Sequence, residues 1–337
     1  MILHEFGTVR RGTLAVVLFL GLTVFGCNKN DNPVEGNRIG TLSEAQALQT
    51  QVEKSDSIAG FFASDAQILD DLDMRADDSG ALGKVDNGAT PVRWGRHIFW
   101  DRIVRTTETR LVGDSIAFVV TTRTVPAEMR IGIQFPNGIP GVIDSVIKKP
   151  FTLSVKRSVR FDRIARTADP DSNWRPAAIS LVYGSSVPGD AKSFGITGME
   201  ITGKFGTTIT NPLDTWFRYG RWIRSGIPQF SAGDSITVRV TLQSRSDSAE
   251  VVFLRHGFAG VLAERHRIRM RLASVVAVGG AITRTYERLL IASPLPRHIL
   301  AARLTATVDA FSYNTLYENS GSVSNEFWGV PYVVTNY

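Results

Sequence analysis

The chain has 337 residues, a formal net charge of +6 at pH 7 and 43% hydrophobic residues, which is enough apolar material to build a folded core. Its single cysteine excludes a disulfide within the chain, and its basic charge is not extreme. The one long apolar stretch, near the N-terminus, is shorter than the roughly 20 residues that a membrane-spanning helix needs, so no such helix is expected.

The N-terminal segment has the layout of a bacterial secretion signal. Arg10 and Arg11 precede an apolar run over residues 14–25, as in the positive and apolar regions of a signal peptide. The run leads into Val24-Phe25-Gly26-Cys27, which resembles the lipobox of bacterial lipoproteins. The resemblance implies cleavage before Cys27 and attachment of lipid to that cysteine. The alternative is a buried cysteine behind an ordinary signal.

The residues after Cys27 suit a tether to a lipid anchor. Residues 28–33 are polar and offer nothing to pack, which favours lipidation over burial of the cysteine. Each buried methylene of an acyl chain contributes roughly 0.8 kcal/mol, so two or three chains hold a protein firmly at a membrane. Asn28 is not the aspartate that retains such proteins in the inner membrane of enteric-type bacteria. We therefore predict a signal peptide over residues 1–26 and a lipidated tether over 27–42, on the outer membrane.

Residues 41–74 form the one clearly helical region. Capping-box patterns at 43–46 and 64–67 each precede apolar residues at helical spacing, which predicts two helices with a break near Gly60. Five aspartates crowd the end of the second predicted helix, and we interpret them as a solvated helix end rather than a cation site. These are Asp70, Asp71, Asp73, Asp77 and Asp78.

From Val92 the apolar period changes to two, which predicts strands. The first is a long strand over 96–110, and the predicted strands that follow it are 115–125, 129–135, 151–164 and 177–183. Helices followed by a long curved hairpin, with Gly113-Asp114 at its turn and Asn173-Trp174-Arg175 opening the last strand, resemble the NTF2-like fold. The resemblance implies an α+β domain over 43–188 whose helices cover a concave antiparallel sheet.

Beyond a predicted boundary near residues 186–189, seven further strands are separated by turn residues. They are predicted at 195–202, 235–242, 250–256, 266–273, 284–292, 299–309 and 327–334. Seven short strands in this length resemble an immunoglobulin-like β-sandwich, although the paired cysteines of antibody domains are absent. The predicted class is therefore mainly β, with an α+β first domain and an all-β sandwich over 189–337.

Two groups of residues are candidate sites. His97 and Asp101 lie on one face of the strand predicted over 96–110, where they suit an acid–base pair in an NTF2-like pocket; core packing with a polar rim is the alternative. Four alternating arginines, Arg265, Arg267, Arg269 and Arg271, lie along one predicted strand and would project from the same sheet face. Four guanidinium groups in a row repel each other unless anions intervene, and a mixed-charge sheet face is the alternative to an anion-binding stripe.

The other motifs that carry chemistry give no site. The scattered histidines and the missing HExxH and CxxC motifs predict no metal centre, and no catalytic residue or cofactor is assigned. The start of a calcium loop at Asp169 lacks the required glycine and glutamate, so a polar hairpin is favoured there.

We therefore predict a non-catalytic, lipid-anchored envelope protein whose sandwich binds a protein partner or an anionic glycan, and no nucleic acid. A small-molecule pocket or enzyme in the first domain is the alternative.

Overall fold

The structure is a computed structural model, which describes residues 38–54, 74–75, 88–187, 193–204, 206–218, 227–256, 266–292, 295, 301–319 and 321–336. Contacts divide the chain into two units, Met1–Ile39 and Gly40–Tyr337, and the fold described below is that of the second unit. Cys27, Arg265, the second predicted helix and the aspartates at its end lie outside the described residues.

The mainly β class is confirmed. The helices of the described residues are α1 Arg38–Lys54 and α2 Tyr313–Tyr317. None of them is long and apolar enough to cross a membrane. The strands are β1 Met74–Arg75, β2 Thr90–Ile98, β3 Val104–Val112, β4 Ile116–Gln134, β5 Ser145–Arg163, β6 Trp174–Ser180, β7 Val182–Val187, β8 Phe194–Thr202, β9 Thr207–Ile209, β10 Trp216–Arg218, β11 Gln229–Ser231, β12 Ser235–Ser244, β13 Val251–His256, β14 His266–Arg269, β15 Arg271–Val278, β16 Ala281–Ile291, β17 Ala301–Phe311 and β18 Asn325–Thr335.

The strands form two sheets. The larger sheet follows the order β1-β2-β4-β5-β7-β18-β17-β13-β14, with β3, β6, β10 and β11 paired beside this path. The smaller sheet has the order β15-β16-β12-β8-β9. A shared apolar core joins the two sheets, because buried side chains of the smaller sheet, such as Val240 and Leu242, cluster with Val308 and Trp328 of the larger one.

The longest hairpin, β4–β5, is the backbone of the larger sheet. Its two strands pair from Ile116 with Asp162 to Ile133 with Ser145. β4 runs through Pro126, where the sequence predicted a break. On the edge away from β5, β4 pairs with β3 up to Thr124 and with β2 from Ala127. Pro126, which has no N–H to donate, therefore lies between the two partner strands.

The long strand predicted over 96–110 is two strands in the structure, and the division between them faces Pro126 of β4. The chain leaves β2 at Ile98, turns through a short 3-10 segment at Trp100–Arg102 and starts β3 at Val104. The two strands pair with successive parts of β4, and a hydrogen bond from the Phe99 N–H to the Pro126 carbonyl marks the change between them.

The predicted boundary at residue 188 does not separate two sheets. β7 pairs with β5 on one side and with β18, from the end of the chain, on the other. Gly184 of β7 lies opposite Phe327 of β18, whose ring is fully buried. The residues on both sides of the boundary therefore share the larger sheet and belong to the one compact unit.

The strand predicted over 266–273 is also divided. β14 pairs with β13 in the larger sheet, whereas β15 pairs with β16 in the smaller one. Met270 lies between them, with its side chain buried in the shared core and its N–H donating to the Val252 carbonyl. The chain therefore passes from the larger sheet to the smaller one at this buried residue.

Candidate site: a buried arginine cluster

The predicted His97–Asp101 pair depended on both residues sharing one strand face. His97 lies in β2, and its ring packs edge-on against Phe99 with 5.0 Å between centroids. Asp101 follows on the 3-10 turn, where its side chain is 80% exposed and lies 3.9 Å from the Arg102 guanidinium. Because β2 ends at Ile98, the strand alternation that would have aligned the two residues stops before Asp101.

The predicted stripe of arginines is split between the two sheets. Arg267 and Arg269 belong to β14 and are partly buried, whereas Arg271 opens β15. The Arg271 side chain is 78% exposed and lies 3.8 Å from a Glu287 carboxylate oxygen. Arg267 differs from both, because its guanidinium group enters the interior of the larger sheet.

That interior contains a group of polar side chains, which we call the arginine cluster. Its members come from β2, β13, β14, β17 and β18 and are Arg96, Arg255, Arg267, Asp309 and Asn325. Asp309 is fully buried, and Asn325, Arg96 and Arg255 are at most 6% exposed. Strand alternation explains the position of Arg96, since Trp94 and Ile98, two residues away on either side, face the same interior and are also buried.

Asp309 is the centre of the cluster. One of its carboxylate oxygens lies 3.0 Å from Nη2 of Arg96 and also pairs with Nη2 of Arg255. The other accepts a hydrogen bond of 2.7 Å from the Asn325 amide, which in turn accepts one of 3.1 Å from Arg96. Both oxygens of Asp309 are therefore occupied.

The charge of Asp309 is maintained by its neighbours. Burial alone would raise the pKa of this carboxyl group, but the positive charges of Arg255, Arg96 and Arg267 and the hydrogen bond from Asn325 outweigh that effect. The pKa of Asp309 therefore lies below its ordinary value, and the group is a carboxylate at neutral pH.

Arg267 is held by aromatic rings. Its Cζ lies 3.9 Å from the ring centroid of Trp94 and 4.4 Å from that of Phe253. Its Nε and Nη2 atoms are buried and have no hydrogen-bond partner among the described residues. The ring faces attract the cation, but they leave the donors at the edge of the guanidinium plane unused.

The electrostatic environment of Arg267 is unfavourable. Burial, followed by the charges of Arg255 and Arg96, lowers the pKa of Arg267 well below its ordinary value, and only Asp309 acts in the opposite direction. Within the cluster, three guanidinium groups face one carboxylate. Buried charge without a partner is costly, and an added anion would relieve that cost.

Several other buried charged groups of the described region have clear partners. Arg284 donates to both carboxylate oxygens of Glu250 at 3.2 Å, and Tyr286 donates its hydroxyl to the same carboxylate. Burial, together with the Glu250 charge, raises the pKa of Tyr286. Lys149 donates to three carbonyl groups around α2, at distances of 2.6 to 3.0 Å. These contacts are typical of residues that support the fold.

The chemistry available to the cluster is recognition of an anion. A guanidinium plane with free donors matches a carboxylate or phosphate group with two parallel hydrogen bonds. Asp309 cannot act as a base while both of its oxygens are engaged and its pKa is lowered. An apolar cavity lies elsewhere, between the two sheets near Phe230 and Val238; at about 20 Å³ it has room for roughly one water molecule.

The described residues contain no group of three or more His, Cys, Asp or Glu side chains placed to hold a metal ion. At the loop where a calcium motif was weighed, the polar side chains stabilise the turn itself. Asp169 accepts from the Asp171 N–H, and Asn173 accepts from the Thr167 N–H.

No protein-family model, curated protein or solved structure matches the chain.

Proposed function

We propose that this chain is a lipid-anchored, non-catalytic binding protein of the bacterial cell envelope, which receives an anionic group of a protein partner or an envelope glycan at Arg267. Two independent features support the proposal. One is the lipobox-like sequence that ends at Cys27, and the other is Arg267, whose buried donors have no hydrogen-bond partner among the described residues.

The anchor rests on sequence. A positive segment, a short apolar run and Cys27 follow one another in the order that a lipoprotein signal has, and a polar tether comes next. Several acyl chains would hold the folded unit at the membrane surface. Mass spectrometry of the N-terminal peptide tests this directly: a diacylglycerol mass on Cys27 is expected, and an unmodified thiol there would refute the anchor.

The observation that carries the binding function is the position of Arg267. Two features suit it to receive an anion: its unused donors and its two like-charged neighbours. The residue as a whole is partly exposed, although the unused Nε and Nη2 donors are buried. The aromatic walls of Trp94 and Phe253 fix the plane of the guanidinium group, so an incoming anion would meet donors that are already oriented.

Thermal unfolding with simple anions tests the site. The probe is sulfate or phosphate, compared with chloride at equal ionic strength, and the protein is residues 28–337, which contain the whole compact unit. An anion at ten times its Kd stabilises the folded state by about 1.4 kcal/mol, which gives a measurable rise in Tm. Arg267→Met should abolish the rise, whereas the matched variant Arg271→Met, at an exposed arginine of the next strand, should retain it.

The same variant separates binding from folding. If Arg267 serves the fold, Arg267→Met should lower the stability in the absence of an anion. If Arg267 serves a ligand, replacing the unpaired buried cation by an apolar side chain should leave the free energy of unfolding unchanged or raise it by about 1–2 kcal/mol. An undiminished sulfate response in Arg267→Met would remove the cluster as the binding site, whatever the result for Cys27.

A further inference from the structure

The loop that joins β4 and β5 presents an unusual number of apolar side chains to solvent. Within residues 135–146, which we call the apolar tip, five large apolar residues are between 39% and 70% exposed. They are Phe135, Ile139, Val142, Ile143 and Val146. Scattered exposed apolar residues are ordinary in soluble proteins, but a dense group on one projecting loop indicates an interaction surface.

Two consecutive turns give the apolar tip a fixed shape. In the first, Pro136 follows Phe135 and the Gly138 N–H donates to the Phe135 carbonyl at 2.9 Å. In the second, Pro140 and Gly141 occupy the centre, and the Val142 N–H donates to the Ile139 carbonyl at 3.0 Å. Gly141 has a φ of +78°, which the third position of a type II turn requires.

Much of the backbone of the apolar tip is already hydrogen-bonded within the protein. Besides the two turn bonds, the Phe135 N–H donates to the Asp144 carboxylate at 2.8 Å, and the Asp144 N–H donates to the Ile133 carbonyl at 2.9 Å. The two prolines have no N–H group to satisfy. Satisfied backbone groups lower the cost of entering a medium without water, which is the main obstacle for a loop that meets lipid.

The charges near the apolar tip suit a membrane surface. Asp144 is the single charged residue between 135 and 147, and its carboxylate is held at the base of the loop by the Phe135 N–H. The exposed Lys148 lies two residues after Val146 on the same face of β5 and faces the exposed Arg130 across the hairpin. Arg130 also donates to the Glu128 carboxylate at 2.8 Å, so Lys148 is the less engaged of the two cations. Apolar side chains followed by cations about 7 Å further along the strands match the layers of a bilayer, in which anionic headgroups lie above the acyl chains.

From this arrangement we infer that the apolar tip inserts into the surface of a lipid bilayer and that Lys148 contacts its anionic headgroups. This membrane contact is separate from Cys27 and from Arg267, and it needs neither lipidation nor an anionic ligand. It would hold the folded unit against the membrane instead of leaving it free on its tether.

Vesicle sedimentation tests the insertion. Residues 28–337 are mixed with phosphatidylcholine vesicles that contain 30% phosphatidylglycerol, and the bound fraction is measured as a function of lipid concentration. Ile139→Asp should lower the partition coefficient at least tenfold. Val278→Asp is the matched control, because Val278 at the end of β15 is 72% exposed and Ile139 is 70% exposed; this variant should bind as the parent does. Lys148→Glu should weaken binding to these vesicles and leave binding to neutral vesicles unchanged.

A fluorescent label gives a second measurement. Residues 28–337 contain no cysteine, so Ile139→Cys and Val278→Cys each provide one thiol for an environment-sensitive dye. A blue shift on adding vesicles is expected for the dye at 139 and not for the dye at 278. Three results would overturn the inference. The parent protein does not sediment with vesicles, or Ile139→Asp binds vesicles as well as the parent does. The third is that, without lipid, the parent is a dimer and Ile139→Asp is a monomer. The last result would assign the apolar tip to contact with a second copy of the chain.

Discussion

Removing the charge of Asp309 is the most direct perturbation of the arginine cluster. Asp309→Asn keeps the shape of the side chain and an oxygen that can accept from Asn325, but it removes the only carboxylate that faces Arg96 and Arg255 in the cluster. Breaking a buried pair by removing one partner costs about 3–5 kcal/mol, because the other charge stays buried without compensation. Here Arg96 and Arg255 both lose the carboxylate with which they pair, so we expect a loss within that range. Urea denaturation followed by tryptophan fluorescence measures it.

The pH dependence provides an independent check. Because the pKa of Asp309 in the folded protein is lowered, its carboxylate stabilises the fold above about pH 4, where the unfolded chain also carries the charge. That stabilisation is lost as the pH falls through the lowered pKa of the folded state. The difference in stability between the parent and Asp309→Asn should therefore be full at neutral pH and should narrow below about pH 4.

A matched exposed pair serves as the control. Asp114 lies 3.4 Å from Arg166, and both side chains are more than 70% exposed. The change Asp114→Asn should have almost no effect, since exposed ion pairs are weak. If Asp309→Asn costs no more than Asp114→Asn, or if its effect does not change with pH, the reasoning about the arginine cluster is refuted.

Three further variants test the packing around the site. Glu44→Gln breaks the charged pair in which Arg163 of β5 donates two hydrogen bonds of 2.8 Å to α1, and it should cost about 1–2 kcal/mol and speed amide hydrogen exchange in α1. Lys149→Met leaves three carbonyl groups around α2 without their charged donor, so a loss of about 3 kcal/mol is expected in urea denaturation. In Gly184→Ala an added methyl group would overlap the buried ring of Phe327, and a lower Tm with a cost of at least about 1–3 kcal/mol is expected.

The glycine variant also tests the pairing of β7 with β18. Gly206→Ala is its control, because an added methyl group there meets no atom of the described residues within 4 Å. Equal Tm values for the two variants would contradict the close approach of Phe327 to β7, and with it the sheet that crosses the predicted domain boundary.

The strands were predictable because alternating apolar residues mark one buried face of a sheet. The strand predictions around β5, β12 and β16 were right in position and differ from the structure at their ends, whereas β4 continues through the break predicted between residues 125 and 129. The pairing partners were not predictable. Alternation says which face of a strand is buried, but it does not say that the last strand, β18, returns to lie beside β7. The division into two domains was inferred from the order of elements along the chain, which carries no information about that return.

The site was only partly visible in the sequence. The alternation of arginines singled out Arg267, but it predicted that the side chain lies on an open sheet face. The alternation continues unbroken across Met270, so the sequence does not reveal that the chain changes sheet there. Arg96 and Asp309 are separated by 213 positions, and no local spacing can bring such residues together. The sequence gives one indication of the buried pair. Asp309 lies between Val308 and Ala310 in an apolar strand, and a carboxylate buried there is expected to have a charged partner.

The imbalance within the arginine cluster is the strongest reason to regard it as a binding site. A buried network that serves the fold gains most when every charge has a partner, as Glu250 and Arg284 do in this same protein. Asp309, with Arg96, Arg255 and Asn325, would already form such a network. Arg267 adds a further positive charge beside it without adding a hydrogen bond among the described residues. The rings of Trp94 and Phe253 attract this cation but leave its donors unused, whereas a ligand that supplies a second anion would bond to them.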